Sequence, residues 1–190
     1  MAKKESTFFN MVITLVMISL VASFALGSIY IVTKEPIEKA KQEKLERAIR
    51  EVIPPFDSLD SYKVASVAGD SLTFNVGYAA DSVVGIAVST FSKDGYDATP
   101  ILLMVGFLLD NTIQNTVVIQ HKETPGLGTK IKNPAWKGQF NGKNPSEFRL
   151  KVKKDGGDVD AITAATISSR AFADAIERAY DAIKKQEGEE

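Results

Sequence analysis

The chain has 190 residues with 23 basic and 24 acidic side chains, a formal net charge of −1, and a 44% hydrophobic and 25% charged composition. That suits one globular domain plus a short accessory segment, and it excludes a nucleic-acid binder: lysines alternate with acids from Glu35 to Glu51, and no basic-aromatic patch occurs. With no cysteine and one histidine, His121, there is no disulfide, thiolate nucleophile, iron–sulfur ligation or Cys- or His-rich zinc site, so redox chemistry would need an organic cofactor.

A short flank, residues 1–7, precedes a stretch from Phe8 to Val32 without a charged residue. At ~1.5 Å per residue it reaches ~37 Å, enough to cross a bilayer core of ~30 Å with tilt, and it reads as one transmembrane helix. Its rival is a cleaved signal peptide, whose apolar region is usually only ~7–15 residues and whose Ala-x-Ala-like cleavage site is poorly defined here. Lys3 and Lys4 flank one end and Lys34, Lys39, Lys41, Lys44 and Arg47 the other, which leaves the positive-inside rule near balance.

Residues 33–55 read as a stalk or docking helix: Pro36 suits an early helical position, and Ile37, Ala40, Leu45, Ala48, Ile49 and Val52 form a stripe that stops before Pro54-Pro55. A solvated helix that merely continues from the membrane fits the same pattern. Residues 56–190 form the main domain. Tyr62 to Ala68, the alternation Leu72, Phe74, Val76, Tyr78, and Val83 to Phe91 are separated by turn signals and predict an antiparallel meander. Ile101 to Leu109 is apolar except for Gly106, and with Thr112 to Gln120 it predicts a hairpin with one strand buried on both faces. It is too short for a second membrane span. Phe148 to Lys153 reads as a last short strand, followed by the turn Lys153 to Gly157, and the tail Gln186 to Glu190 as frayed. The fold class is therefore α+β, an antiparallel sheet with flanking helices behind one N-terminal transmembrane helix.

Two stretches carry candidate chemistry. Asp160-Ala161-Ile162-Thr163-Ala164-Ala165-Thr166-Ile167-Ser168-Ser169 runs into a helical pattern from Arg170 to Lys185, with Phe172, Ala175, Ile176, Ala179 and Ile183 on one face. Thr166 then falls at the N-cap or first turn, where unpaired N–H groups and the helix dipole suit a phosphate. Ala164 and Ala165 permit close approach, and Thr163, Thr166, Ser168 and Ser169 are possible donors. An ordinary Ser/Thr-capped amphipathic helix accounts for the local string equally. The second stretch, Glu123-Thr124-Pro125-Gly126-Leu127-Gly128-Thr129-Lys130, is a loop whose proline and glycines set turns and let the backbone approach a bulky group. His121 reads as a structural hydrogen-bonding residue and Trp136 as core. Lys130 and Lys137 are either ordinary surface lysines or partners for an anionic ligand.

These two motifs, with the single N-terminal anchor, resemble the FMN-binding domain of ion-translocating electron-transport complexes. The resemblance covers essentially the whole chain and rests on Asp160-x-x-Thr163-Ala164-Ala165-Thr166 and His121-Lys122-Glu123-Thr124-Pro125-Gly126-Leu127-Gly128. The G-subunit branch of the Rnf complex is nearest; the C subunit of the sodium-pumping NADH:quinone oxidoreductase, usually longer, ranks second. The resemblance implies that Thr166 carries FMN through a phosphoester bond, installed by a separate flavin transferase that uses FAD and a metal ion. It implies that Asp160, Thr163, Ala165 and Thr166 are read by that transferase, and that Glu123, Thr124, Gly126, Leu127, Gly128, Lys130, Thr163, Ala164, Ala165 and Ile167 bind the cofactor, with Leu127 beside the isoalloxazine. Ala164 departs from the family, which more often has Gly there. No catalytic residue and no metal ligand are implied. The implied function is electron relay within a complex coupling ferredoxin and NAD chemistry to ion transport. The implied partners are the complex's other membrane subunits, the transferase during maturation and membrane lipid. The domain would sit outside the cytoplasmic (inner) membrane.

A second class of function fits the residues alone: a membrane-anchored binding or scaffold protein without covalent flavin, whose loop and helix start hold another phosphate-bearing ligand or a protein. A stand-alone hydrolase lacks support, since no Ser-His-Asp arrangement, metal-ligand cluster or paired carboxylates are recognisable.

Overall fold

The computed structural model describes residues 7–65 and 69–188. The expected flank up to residue 6, the last three residues of the Tyr62 to Ala68 run and the final two of the tail lie outside them.

Helix α1 runs Phe8–Val52 with Pro36 inside it and takes in both the apolar span and most of the residues expected as a stalk. It is long and apolar enough to cross a membrane. In the span, Phe8, Leu15, Leu20, Phe24 and Ile31 are exposed, as lipid-facing side chains of a single spanning helix would be. The chain divides into two compact units, residues 1–43 and 44–190.

In the second unit five strands follow in order: β1 Ser58–Ala65, β2 Ser71–Ala79, β3 Ser82–Ser92, β4 Ile101–Phe107 and β5 Ile113–Gln120. They form one antiparallel sheet in sequence order, the expected meander. The β2–β3 turn uses two left-handed residues, Ala80 (φ 46°) and Asp81 (φ 63°), the geometry that matches the twist of paired strands. β4 is the strand buried on both faces. Ile101, Leu103, Val105 and Phe107 enter the main core, while Met104 points to the other side, where Ala48, Ile49, Val52, Ile53 and Ala87 pack. Gly106 is required by that second layer, because a Cβ there would lie 1.8 Å from the Val52 carbonyl oxygen.

The main core closes under α3, Thr166–Glu187, which buries the expected face of Phe172, Ala175, Ile176, Ala179 and Ile183. Burying a side chain such as Phe172 or Ile176 contributes about 1.5–3 kcal/mol, so this one helix face is a principal source of the domain's stability. Thr90, 1% exposed, donates its hydroxyl to the Ala175 carbonyl at 2.9 Å, tying β3 to the middle of α3.

Between β5 and α3 the chain forms short helical turns: Gly128–Lys132, α2 Pro134–Lys137, Gly138–Phe140 and Lys153–Asp155. The expected strand at Phe148 to Lys153 is absent. Its backbone groups pair within the same turn-rich segment, Asp158 N–H to the Arg149 carbonyl and Val159 N–H to the Lys151 carbonyl, with one bridge between Val152 and Val159. Bonded to itself, the segment adds nothing to a sheet edge. Trp136, expected in the core, is partly buried and packs edge-on against the core residues Phe140 and Phe172, with centroids 5.6 and 5.0 Å away.

Candidate functional site

Three segments meet where α3 begins. Ile162 to Ala165 make a turn closed by Ala165 N–H to the Ile162 carbonyl, 2.9 Å, with Ala164 in the left-handed region at φ 61°. Ala165 is the N-cap, and no side chain caps the helix. Thr166 is thus the first helical residue, half-buried, in the first turn rather than at the cap. The first intrahelical bond runs from Ser169 N–H to the Ala165 carbonyl, so the N–H groups of Thr166, Ile167 and Ser168 precede the ladder and point out of the helix end.

The two serines are not available to an anion. Ser169 Oγ accepts from Ile162 N–H at 2.9 Å and donates to the Ala165 carbonyl at 3.0 Å. Ser168, 2% exposed, donates its hydroxyl to Glu123 Oε2 at 2.5 Å. Of the four hydroxyls expected there, Thr163 and Thr166 stay open, Thr163 on the exposed surface and Thr166 in the cleft. Arg170 grips Asp155 with two hydrogen bonds, 2.6 and 2.8 Å, fixing the first turn from outside and holding the Asp155 carboxyl below the usual carboxylate range.

The loop before this helix supplies the facing residues. His121 Nδ1 accepts from Glu123 N–H at 3.1 Å; burial, followed by the neighbouring Lys132, keeps the imidazole below its ordinary pKa and favours this neutral acceptor form. Thr124 closes the loop by accepting at its carbonyl from Leu127 and Thr129 N–H, and Gly126 (φ 75°) donates to Thr129 Oγ1. Gly128 is needed for close packing: a Cβ there would stand 2.6 Å from Ser168 Oγ and 2.7 Å from Glu123 Cβ. The glycine therefore lets the loop lie directly on the helix start.

The result is a cleft of about 450 Å³, lined by Tyr96, Thr124, Leu127, Gly128, Ala164, Ala165, Thr166, Ile167 and Ser168. It lies within the size range of small-molecule sites. It brings together eight of the residues singled out from the sequence, all of the lining except Tyr96. Glu123 is instead buried behind the wall, 3% exposed, while Gly126, Lys130 and Thr163 lie outside the lining. Asp160 is also outside, its carboxylate paired with Lys153 at 2.7 Å and its carbonyl accepting from Trp136 Nε1 at 2.6 Å. Lys137 is committed elsewhere: its ammonium donates to the Thr116 carbonyl at 2.5 Å and lies 3.6 Å from Glu51. Among the described residues no His, Cys, Asp or Glu cluster suits a metal ion.

The same residues fall within known sequence families. A model described as the FMN-binding domain matches residues 95–181, which span the loop, the turn and most of α3. The G subunit of the ion-translocating oxidoreductase complex of Erwinia tasmaniensis is 34% identical over 179 residues, covering 87% of this chain and 85% of that protein. The chain belongs to the family of ion-translocating oxidoreductase G subunits. The G subunit from Methanosarcina acetivorans is likewise 34% identical, over 190 residues, covering 97% of this chain and 98% of that one. A crystal structure of Shewanella oneidensis NqrC matches with a TM-score of 0.47 and 22% identity, over 69% of this chain and 67% of that one.

Tyr96 lies within the matched residues and lines the cleft, yet no motif in the sequence singles it out, because Lys93-Asp94-Gly95 reads only as a turn. The available signal was an aromatic residue immediately after a glycine turn, in a position where burial was not required.

Proposed function

We propose that this chain is a membrane-anchored flavoprotein subunit that holds FMN by a phosphoester bond to Thr166 and relays electrons within an ion-translocating ferredoxin:NAD oxidoreductase complex of the Rnf type. The observation that carries the reading is the placement of Thr166: a hydroxyl on the first turn of α3, in a cleft, beside the N–H groups of Thr166, Ile167 and Ser168. Those donors and the positive end of the helix dipole suit a phosphate. Leu127, Ile167 and Ala164 give the cleft an apolar part that suits a flavin ring, and the volume is adequate, so the residues present fit the group.

Bound there, FMN would supply one- and two-electron transfer. The protein's share is binding and orientation. Thr166 would supply the hydroxyl nucleophile for transfer of the FMN phosphoryl group from FAD on the transferase, with AMP as the leaving group that takes up the hydroxyl proton. Asp160, Thr163, Ala165 and Thr166 are the stretch the transferase reads; Asp160 and Thr163 are exposed, as such recognition needs, while Thr166 is half-buried and Ala165 is buried. The tether keeps the cofactor at an effective concentration of order millimolar where free FMN is scarce. Thr124, Gly128, Ala165 and Ile167 contact the ligand directly, while Gly126 shapes the loop and the exposed Lys130 is a partner for the anionic ligand. The other membrane subunits of the complex are the partners. The domain faces the periplasmic or extracytoplasmic side of the inner membrane, with α1 as the single anchor.

The test is the visible spectrum of the full-length protein, extracted from cells that possess the transferase and then denatured, with peptide mapping of the attached mass. Yellow colour that survives denaturation and maps to Thr166 is expected. Colourless protein of unmodified mass would instead fit a binding or scaffold protein.

A further inference from the structure

Three apolar side chains stand exposed around the cleft: Tyr96 at 70%, Leu127 at 40% and Ile167 at 44%. Single exposed apolar residues are ordinary, but three gathered at one concavity mark a surface waiting to be covered. They come from three separate segments, and one buried carboxylate ties all three. Glu123 Oε1 accepts from Tyr96 N–H at 3.0 Å and from Asp97 N–H at 3.4 Å. Glu123 Oε2 accepts from Ser168, the neighbour of Ile167, and the Glu123 loop itself carries Leu127. Gly95 rests on the same group, since a Cβ there would lie 2.6 Å from Oε1. The backbone of Tyr96 is therefore pinned from behind, and the residue, 70% exposed and without an aromatic partner among the described residues, lines the cleft.

Resting on the flavin reading above, we propose that Tyr96 is a flavin-contacting residue forming a further wall beside Leu127 and Ile167, and that Glu123, which does not line the cleft, is the positioning residue that sets it there. A flat phenol ring provides a large contact with a flat heteroaromatic ring at the cost of ordering only two side-chain torsions. Glu123 acts through hydrogen bonds to backbone and to Ser168, so its effect on the flavin is carried by the placement of the walls.

The experiment uses the full chain co-produced with the flavin transferase, and intact mass reports attachment in every sample. A phenol touching an excited flavin lends it an electron and recovers it, which quenches emission. Tyr96→Leu should raise flavin emission severalfold and increase quenching by iodide, with attachment unchanged. Tyr96→Phe should raise emission but keep iodide access near wild type, because the aromatic cover remains. Glu123→Leu should move both readouts toward those of Tyr96→Leu, and Glu123→Gln, which keeps an oxygen for Tyr96 N–H, should restore them. If Glu123→Leu fails to fold, Gly95→Ala displaces the same carboxylate and should raise iodide access. Attached flavin with wild-type emission and iodide access in Tyr96→Leu overturns the proposal and leaves the flavin reading intact. Wild-type protein with no flavin mass overturns both.

Discussion

Ser168 and Glu123 are 45 residues apart in sequence and joined by a 2.5 Å hydrogen bond in the buried wall of the cleft. Among the described residues it is the side-chain hydrogen bond that joins the loop to the start of α3. Ser168→Ala leaves Glu123 Oε2 without its donor in a buried place. A hydrogen bond to a charged group is worth about 1.5–3 kcal/mol, so the substitution should lower unfolding stability by that order. Urea unfolding of the purified protein, followed by Trp136 fluorescence, checks it; an unchanged midpoint would mean that the bond contributes nothing.

Ala164 sits at φ 61°, where a Cβ costs roughly 1–2 kcal/mol and a β-branched residue is a steric outlier. Ala164→Gly should be neutral or stabilising by up to about 1 kcal/mol, since relief of strain outweighs the added freedom of the unfolded chain. Ala164→Val should destabilise the domain and reduce flavin attachment together. Thermal midpoints and intact mass of the two variants give opposite signs if the turn is as described.

The left-handed turn also shows where sequence reading stopped. The helical face from Phe172 to Ile183, the meander and the doubly buried β4 were legible because periodicity of apolar residues is a local property of the chain. The internal use of Ser168 and Ser169 was not, because a serine beside a helix start looks the same whether its hydroxyl serves a ligand or a carboxylate 45 residues away. The burial of Glu123 and the place of Tyr96 were hidden for the same reason: each depends on a contact between distant segments. Phe148 to Lys153 had strand composition, yet a strand needs a partner edge, and this segment bonds to itself.

His121 gives the domain a pH response near neutrality. Its folded pKa lies below the ordinary histidine value of 6.5, chiefly through burial, with Lys132 and Lys44 adding to the effect and Glu123 opposing it. The unfolded chain therefore binds the proton first. Stability is fully present above about pH 6.5 and falls as pH drops through the folded pKa. His121→Asn keeps an oxygen to accept from Glu123 N–H but does not titrate, so it should flatten the stability profile just below pH 6.5. The carboxylates of Asp70, Asp155 and Asp158, held below 3.8 first by side-chain hydrogen bonds from Arg178, Arg170 and Arg149, lose their contributions only at lower pH. A profile unchanged by His121→Asn would assign the response to another group.

The orientation of the chain has its own test, since the flanking charges are near balance. Protease added to intact spheroplasts should digest residues beyond Lys34 and leave a membrane-protected fragment containing residues 8–32. Digestion confined to inverted vesicles would place the domain in the cytoplasm and remove the extracytoplasmic reading.

The two threonines of the turn separate the attachment chemistry from its surroundings. Thr166 lies in the cleft at the first helical position, whereas Thr163 is exposed and outside the lining. Thr166→Val keeps the size and β-branching and deletes the oxygen that forms the bond, so covalent flavin should vanish. Because Ala165 and not Thr166 is the N-cap, the helix loses no capping bond, and the cost to stability should stay within about 0.5 kcal/mol, well under the ~1 kcal/mol of a lost cap. Thr163→Val leaves the acceptor hydroxyl in place and alters only the surface presented to the transferase, so the yield of attachment should drop while its position stays at Thr166. Mass spectrometry of the intact proteins and of the peptide spanning Thr163 to Arg170 reads both outcomes. Flavin still bonded to the Thr166→Val protein, or mapped to Thr163 in the wild type, would move the linkage to another hydroxyl. Neither buried serine is a ready substitute, since the Ser168 hydroxyl is held by Glu123 and that of Ser169 by the Ala165 carbonyl.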